Sequence, residues 1–249
     1  MPGMRMALLG AIATTIVIGI GVLIAIGPSL IQTLERTKPT PVMLSFSMVN
    51  GWNAPQWCND LASVLQKHDV KATVFVTGEV AEQHPECVTA FASQGTDVGS
   101  QTYRYVNLNA VADYQYALEE VRMGKEAVDR AGNIDSHVFR APFGETNQDI
   151  YSLLSSSDIT ADFSYTTQYN KYEGDQFVKH DLVSCDCRDE PERIEQLLKL
   201  DLPIIINIDN NTAVGEIESL IVSLKEKEMS LVSASELTET DLTVEGASA

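Results

Sequence analysis

From Val42 onward, short runs rich in β-branched and apolar residues alternate with longer amphipathic stretches, and this alternation leaves few folds open to the chain. The runs fall near residues 42–47, 71–76, 96–99, 137–140, 159–163, 178–184, 203–208 and 229–232, and the helix-like stretches near 55–68, 79–93, 110–131, 146–156, 190–200 and 213–227. Such alternation is the mark of βαβ crossovers, which pair strands in parallel and wrap helices around the sheet. The expected fold is therefore α/β, a distorted (β/α) barrel over residues 42–237, within the length range of a single barrel domain. In the 110–131 stretch Tyr114, Leu118, Val121, Ala127 and Val128 recur at mostly three- and four-residue spacing, with Glu119, Glu120, Arg122 and Lys125 between them. It reads as an outer helix whose aromatics belong to the core.

Ahead of the barrel, the uncharged stretch from Met6 to Gly27, at about 1.5 Å rise per residue, reaches about 33 Å and is long enough to cross a bilayer core. Residues 1–36 read as an N-terminal membrane anchor and 37–41 as a linker. A signal peptide is the competing reading, disfavoured by the length of the apolar run. Gly10, Thr14, Val17, Gly21 and Ala25 share one face of this helix, the small-residue pattern through which membrane helices associate, so a membrane-helix partner is an expectation. Arg5 flanks one end and Glu35, Arg36 and Lys38 the other, which leaves orientation undecided by charge. The 238–249 tail is acidic and rich in small residues, and reads as frayed.

A formal net charge of −18 repels nucleic acid, which is excluded as a partner. Cys58, Cys87, Cys185 and Cys187 allow three pairings in an oxidising compartment. Cys58 and Cys87 lie near the starts of neighbouring helices, so a bridge between them is plausible. The Cys185-Asp186-Cys187 pair has no matching Cys or His pair nearby and is a weak zinc signal.

Five segments carry a resemblance: Val42 to Met48, Lys67 to Gly78, Gly99 to Leu108, Phe139-Arg140-Ala141-Pro142-Phe143-Gly144, and Ile204 to Asp209. In that order they resemble the NodB-homology polysaccharide deacetylases, carbohydrate esterase family 4, over residues 42–237. The resemblance implies a barrel of the polysaccharide deacetylase type, an extracytoplasmic domain, and a divalent metal held by one carboxylate and two histidines four residues apart, with a carboxylate base and an acid histidine.

Aligned residue by residue, the base position is Ser47, the metal carboxylate Met48, the two ligand histidines Gln101 and Tyr105, and the acid histidine Ile208. None of these side chains suits a hydrolytic metal or its proton transfers, so no intact catalytic residue, no metal ligand and no cofactor are expected. Arg140 survives from the family's arginine motif. It either pairs with Asp162 or Asp209 across the barrel mouth, or faces a ligand carboxylate or sulfate. Asp162, Asp209, Asn207, Gln101 and Thr102 are the further candidates for contact with a glycan. The four histidines, His68, His84, His137 and His180, form no replacement cluster in the sequence, and His137 reads as buried in a strand.

The function these readings imply is a membrane-anchored, single-pass, deacetylase-like protein, catalytically degenerate, acting on the outer side as a glycan-binding or structural subunit. Two alternatives stay open: an active hydrolase of amide bonds in N-acetylated polysaccharide, using zinc or another divalent metal at a site rebuilt from Asp162, Asp209 or Glu145; and an accessory subunit of a larger membrane complex.

Overall fold

The structure, a computed structural model, describes residues 39–49, 52–144, 146, 148–188 and 190–239. The 6–27 stretch with Gly10, Thr14, Gly21 and Ala25, and also Glu145 and residues 240–249, lie outside the described residues. Among those described, no helix is long and apolar enough to cross a membrane.

β1 (Pro41–Met48) is the centre of the sheet, flanked in parallel by β2 (Thr73–Val76) on one side and β9 (Ile204–Asp209) on the other. Beyond β2 come β3 (Asp97–Ser100), β4 (Val138–Phe139) and β5 (Ala161–Asp162), all parallel, and beyond β9 comes β8 (Val183–Cys185), also parallel. A last short strand, β10 (Ser230–Leu231), pairs with the start of β1. β6 (Gln168–Glu173) and β7 (Gln176–Asp181) then run antiparallel as a hairpin on the β5 edge. Backbone bonds from Leu182 N to Thr167 O at 3.0 Å and from Ser184 N to Thr166 O at 2.7 Å tie the approach to β6 onto the β8 edge, bringing the sheet close to closure.

Side chains sort by the two-residue period of the strands. Met43, Phe75, Val138, Ala161, Phe163, Tyr169, Leu182 and Ile205 pack together inside the barrel, stoppered from below by Ala234 and Leu237. The alternate residues Leu44, Phe46, Met48, Val74, Val76, Ile204, Ile206 and Ile208 face the helix layer. That layer consists of α1 (Ala54–Lys67), α2 (Gly78–Gln83), α3 (Pro85–Ala92), α4 (Tyr114–Gly132), α5 (Gln148–Ser156), α6 (Pro191–Leu197), α7 (Val214–Glu226) and the closing α8 (Ala234–Glu239).

The parallel core matches the expectation, and the departures have local causes. The expected 79–93 helix breaks at His84, because Pro85 has no N–H to continue α2 and instead starts α3. The expected 178–184 strand is two elements, β7 and β8, separated at Leu182, whose side chain turns into the barrel. β6 was not expected at all. α4 begins only at Tyr114, where the Asp113 carboxylate accepts from the N–H groups of Gln115 and Tyr116 as an N-cap. Tyr114 is exposed rather than core, whereas Glu120 and Lys125 are buried, Glu120 against Arg104 and Lys125 against Asp129 and Asp135. α8 extends through Thr238 and Glu239, which the sequence reading placed in the tail.

α4 crosses so close to the loop after β3 that a Cβ on Gly124 would stand 2.5 Å from the Thr102 carbonyl carbon and 2.7 Å from its oxygen. Backbone atoms cannot rotate aside. Alanine in mid-helix gains about 1 kcal/mol of propensity over glycine, and overpacking of this kind costs about 1–3 kcal/mol. Because the clash is with backbone, the cost outweighs the gain and Gly124→Ala is expected to lower stability by up to about 2 kcal/mol, measured by urea unfolding; a stabilised variant would contradict the close approach.

Candidate functional site

The parallel strands all end on one face, and the inward residues nearest those ends form the barrel mouth. From β1 come Ser45 and Ser47, from the end of β3 Gln101, from the end of β4 Arg140, and from β9 Asn207 and Asp209. Ser47 Oγ donates to Gln101 Oε1 at 3.2 Å, and Gln101 Nε2 donates to the Phe75 carbonyl at 2.7 Å. Gln101 is buried, so its amide serves to lock Ser47 and β2 together. Met48 faces the other way: it is 0% exposed, packs in the outer core, and lies 3.6 Å from Cys58 Sγ. Ile208 also faces the helix layer, leaving Asn207 and Asp209 as the residues of β9 on the mouth side. Asn207 Nδ2 donates to Ser184 Oγ at 2.6 Å while its buried Oδ1 has no partner, and Asp209 Oδ1 accepts from Asn211 N at 2.8 Å.

The loop after Gln101 is held in a strained shape. Thr102 and Tyr105 both have positive φ, 61° and 58°, costly for a β-branched and a bulky residue. Three contacts retain them: Thr102 Oγ1 accepts from Val106 N at 3.1 Å, and Thr102 O and Tyr103 O accept from the first amides of α2, Gly78 N and Glu79 N, each at 3.0 Å. The Tyr105 ring lies 5.0 Å from that of Phe143, which is 64% exposed and also has positive φ. Trp52, 75% exposed, stands in the loop leaving β1 at the same end of the barrel.

Arg140 Nη1 donates to Ser45 Oγ at 3.0 Å. A pairing with Asp162 or Asp209, one of the two alternatives open for Arg140, is not formed. Burial pulls the pKa of the guanidinium down, against the attraction of Tyr105, Asp186 and Asp162. Asp162 is 0% exposed; because Ala161 and Phe163 face the barrel interior, it faces away. Its Oδ1 accepts from Ser164 N and Ser164 Oγ, that Oγ accepts from Ala141 N, and its Oδ2 has no partner. Desolvation pushes the carboxyl up to about 7, against the Ser164 hydrogen bonds, Tyr151 and Arg140. In this position Asp162 braces the ends of β4 and β5 and is out of a ligand's reach.

At the opposite, N-terminal face, Asp135, His137 and Asp158 approach one another, a grouping the sequence reading did not see. The His137 ring is 42% exposed rather than buried in strand, Nδ1 bonds the Asp158 carbonyl at 2.8 Å, and Lys125 already occupies Asp135. Cys58 is bridged to Cys87 and Cys185 to Cys187.

Ser45, Ser184 and Phe143 were missed as parts of the mouth. For Ser45 the signal was present, since it shares the strand face of Ser47.

A parallel α/β barrel with its polar residues gathered at the strand C-termini is the architecture of an enzyme-type barrel with a ligand-facing mouth. The chain belongs to the polysaccharide deacetylase family, whose model matches residues 35–161. Among relatives, it is 35% identical over 81 residues to a peptidoglycan-N-acetylglucosamine deacetylase of Bacillus cereus, covering 32% of this chain and 29% of that one. It is 25% identical over 155 residues to the peptidoglycan-N-acetylmuramic acid deacetylase PdaA of Bacillus subtilis, covering 59% and 58%. The matches thus span less than two thirds of either relative. The fold is similar to that of a putative polysaccharide deacetylase from Mycobacterium smegmatis (TM-score 0.67, 16% identity, 82% of this chain and 91% of that one). It is also similar to that of a CE4 family pseudoenzyme from Bacillus anthracis (TM-score 0.57, 16% identity, 82% and 70%).

A divalent metal does not fit the residues at the mouth positions that the resemblance assigns to it. The Met48 thioether is turned into the core, the Gln101 amide is committed to Phe75 and Ser47, and Tyr105 supplies only a phenol. A hard hydrolytic cation calls for carboxylate and imidazole instead.

Proposed function

We propose that this chain is a deacetylase-family protein that has given up metal-dependent hydrolysis and binds N-acetylated glycan at the barrel mouth, on the outer side of a membrane to which residues 6–27 anchor it. The observation that carries the reading is the Ser47–Gln101–Phe75 chain of hydrogen bonds, which occupies the base position and one ligand position with groups that satisfy each other. Two features support retention of binding: the strained 102–105 loop is still held in place, and exposed aromatic rings, Phe143 and Trp52, stand at the same end, where a sugar's apolar face can lie against them. The two disulfides support an oxidising compartment outside the cytoplasm.

Purified full-length protein is expected to carry no stoichiometric zinc, cobalt or nickel after dialysis, and to release no acetate above background from N-acetylated chitin or peptidoglycan fragments. It is expected to bind the same fragments in a pull-down. Metal at one per chain together with acetate release that survives repurification would overturn the reading in favour of a rebuilt hydrolase. Absence of any glycan binding would sink it from the other side.

A further inference from the structure

Arg140 is a cation set into the barrel mouth with no anion paired to it among the described residues. The guanidinium has five N–H donors, and among the described residues its one side-chain hydrogen-bond partner is a neutral hydroxyl, Ser45 Oγ at 3.0 Å. β1 offers Ser45. The loop after β3 offers Tyr105. Beyond β5, Asp162 is engaged with Ser164 and faces away. Beyond β8, Asp186 acts only at longer range and is bonded to Arg188 at 3.1 Å. With serine at position 47, directed to Gln101, no carboxylate of β1 neutralises the arginine either.

A guanidinium largely removed from water without a counter-charge is costly to keep. Arg140 as a residue is half-buried rather than buried, which leaves a ligand a way to it. Phe143, three residues further on, lies 5.0 Å from the Tyr105 ring in a tilted contact and is itself largely exposed to solvent. A planar fork beside an aromatic platform fits a pyranose that carries one carboxylate: the two oxygens take two parallel N–H bonds, and the ring's C–H face takes the aromatics. The net charge of −18 disfavours densely anionic polymers, which leaves glycans in which carboxylates are separated by neutral sugars.

We propose that the mouth selects acidic sugars, with Arg140 as the carboxylate anchor that determines specificity. This rests on the glycan-binding reading above.

The test compares each acid with its own methyl ester, which removes the charge and adds only a methyl group. Full-length protein in detergent is titrated calorimetrically with glucuronyl-N-acetylglucosamine and with the N-acetylglucosamine–N-acetylmuramic acid disaccharide, each as free acid and as ester. At least one acid is expected to bind about tenfold or more tighter than its ester, and which one does so identifies whether the carboxylate is a uronate or a lactyl group. Arg140→Ala should erase that preference and Arg140→Lys should keep only part of it, with melting of both variants recorded to confirm folding. Equal binding of acid and ester by the wild-type protein overturns the inference while leaving glycan binding standing, and needs no variant. An acid preference that survives Arg140→Ala overturns it as well. If neither acids nor esters bind, the glycan-binding reading itself falls, and the inference with it.

Discussion

The melting temperature of the protein is expected to fall as pH rises from about 5 to about 8, and Asp162→Asn is expected to remove most of that fall. The cause is the carboxyl buried behind the ends of β4 and β5, pushed up to about 7 by desolvation. In the unfolded chain the same group titrates near 4. Between these values the folded state holds a proton that the unfolded state has released, so stability declines with rising pH across this window and levels off above it. About 3 units at about 1.4 kcal/mol each give a limit of about 4 kcal/mol. Asparagine has the same shape, keeps an oxygen for Ser164 N and Oγ, and cannot ionise. The variant is therefore expected to be more stable than wild type at pH 8 and close to it at pH 5. The exposed acids with lowered pKa values, Glu82, Asp135, Glu195 and Glu218, act below this window and with the opposite sign. Parallel pH slopes for the two proteins would show that Asp162 is ionised in the folded state.

What could be read from the sequence depended on whether the deciding contacts were local. The parallel strands were legible because both faces of β1, β2 and β9 are largely buried, so their runs are mostly apolar, broken by polar residues chiefly toward their C-terminal ends. The β6–β7 hairpin was not, because Gln168–Glu173 is polar and lies on the barrel's edge. The available signal was the two-residue Gly174-Asp175 turn, whose glycine has a φ of 66°. Glu120 and Lys125 looked like a solvated helix face because Arg104 and Asp135, the more exposed partners that meet their buried charges, lie 16 and 10 residues away. At the mouth, the altered positions were legible one by one from the resemblance. What each side chain does there was not. The parity of β1 turns Ser47 inward and Met48 outward, and Ser184 meets Asn207 only because β8 and β9 pair side by side. Arg140 shows the limit most clearly: the sequence offered two carboxylates for it, and the fold gives it a serine.

Reduction of the Cys58–Cys87 bridge is the other change with a large expected effect. It joins α1 to α3 across 29 residues, and both cysteines are 1% exposed. The entropy relation for a cross-linked unfolded chain gives about 3–4 kcal/mol for a loop of this length. Cys185–Cys187 spans a separation of only 2 and by the same relation restricts the unfolded chain far less. The longer loop contains β2 and α2, and these carry the Phe75 carbonyl that holds Gln101 and the Gly78 and Glu79 amides that hold the strained turn. A double Cys58→Ala, Cys87→Ala variant is therefore expected to unfold about 3–4 kcal/mol more easily than wild type in urea without reductant. With reductant present, the wild-type protein should fall toward the variant. The loss should reach the mouth before global unfolding, because β2 and α2 are the supports of Gln101 and of the Thr102–Tyr105 turn. Hydrogen exchange at the Gln101 backbone amide, which donates to Val76 O at 3.1 Å, reads that directly. Equal urea midpoints for variant and wild type under oxidising conditions would mean the bridge is not what ties α1 to α3.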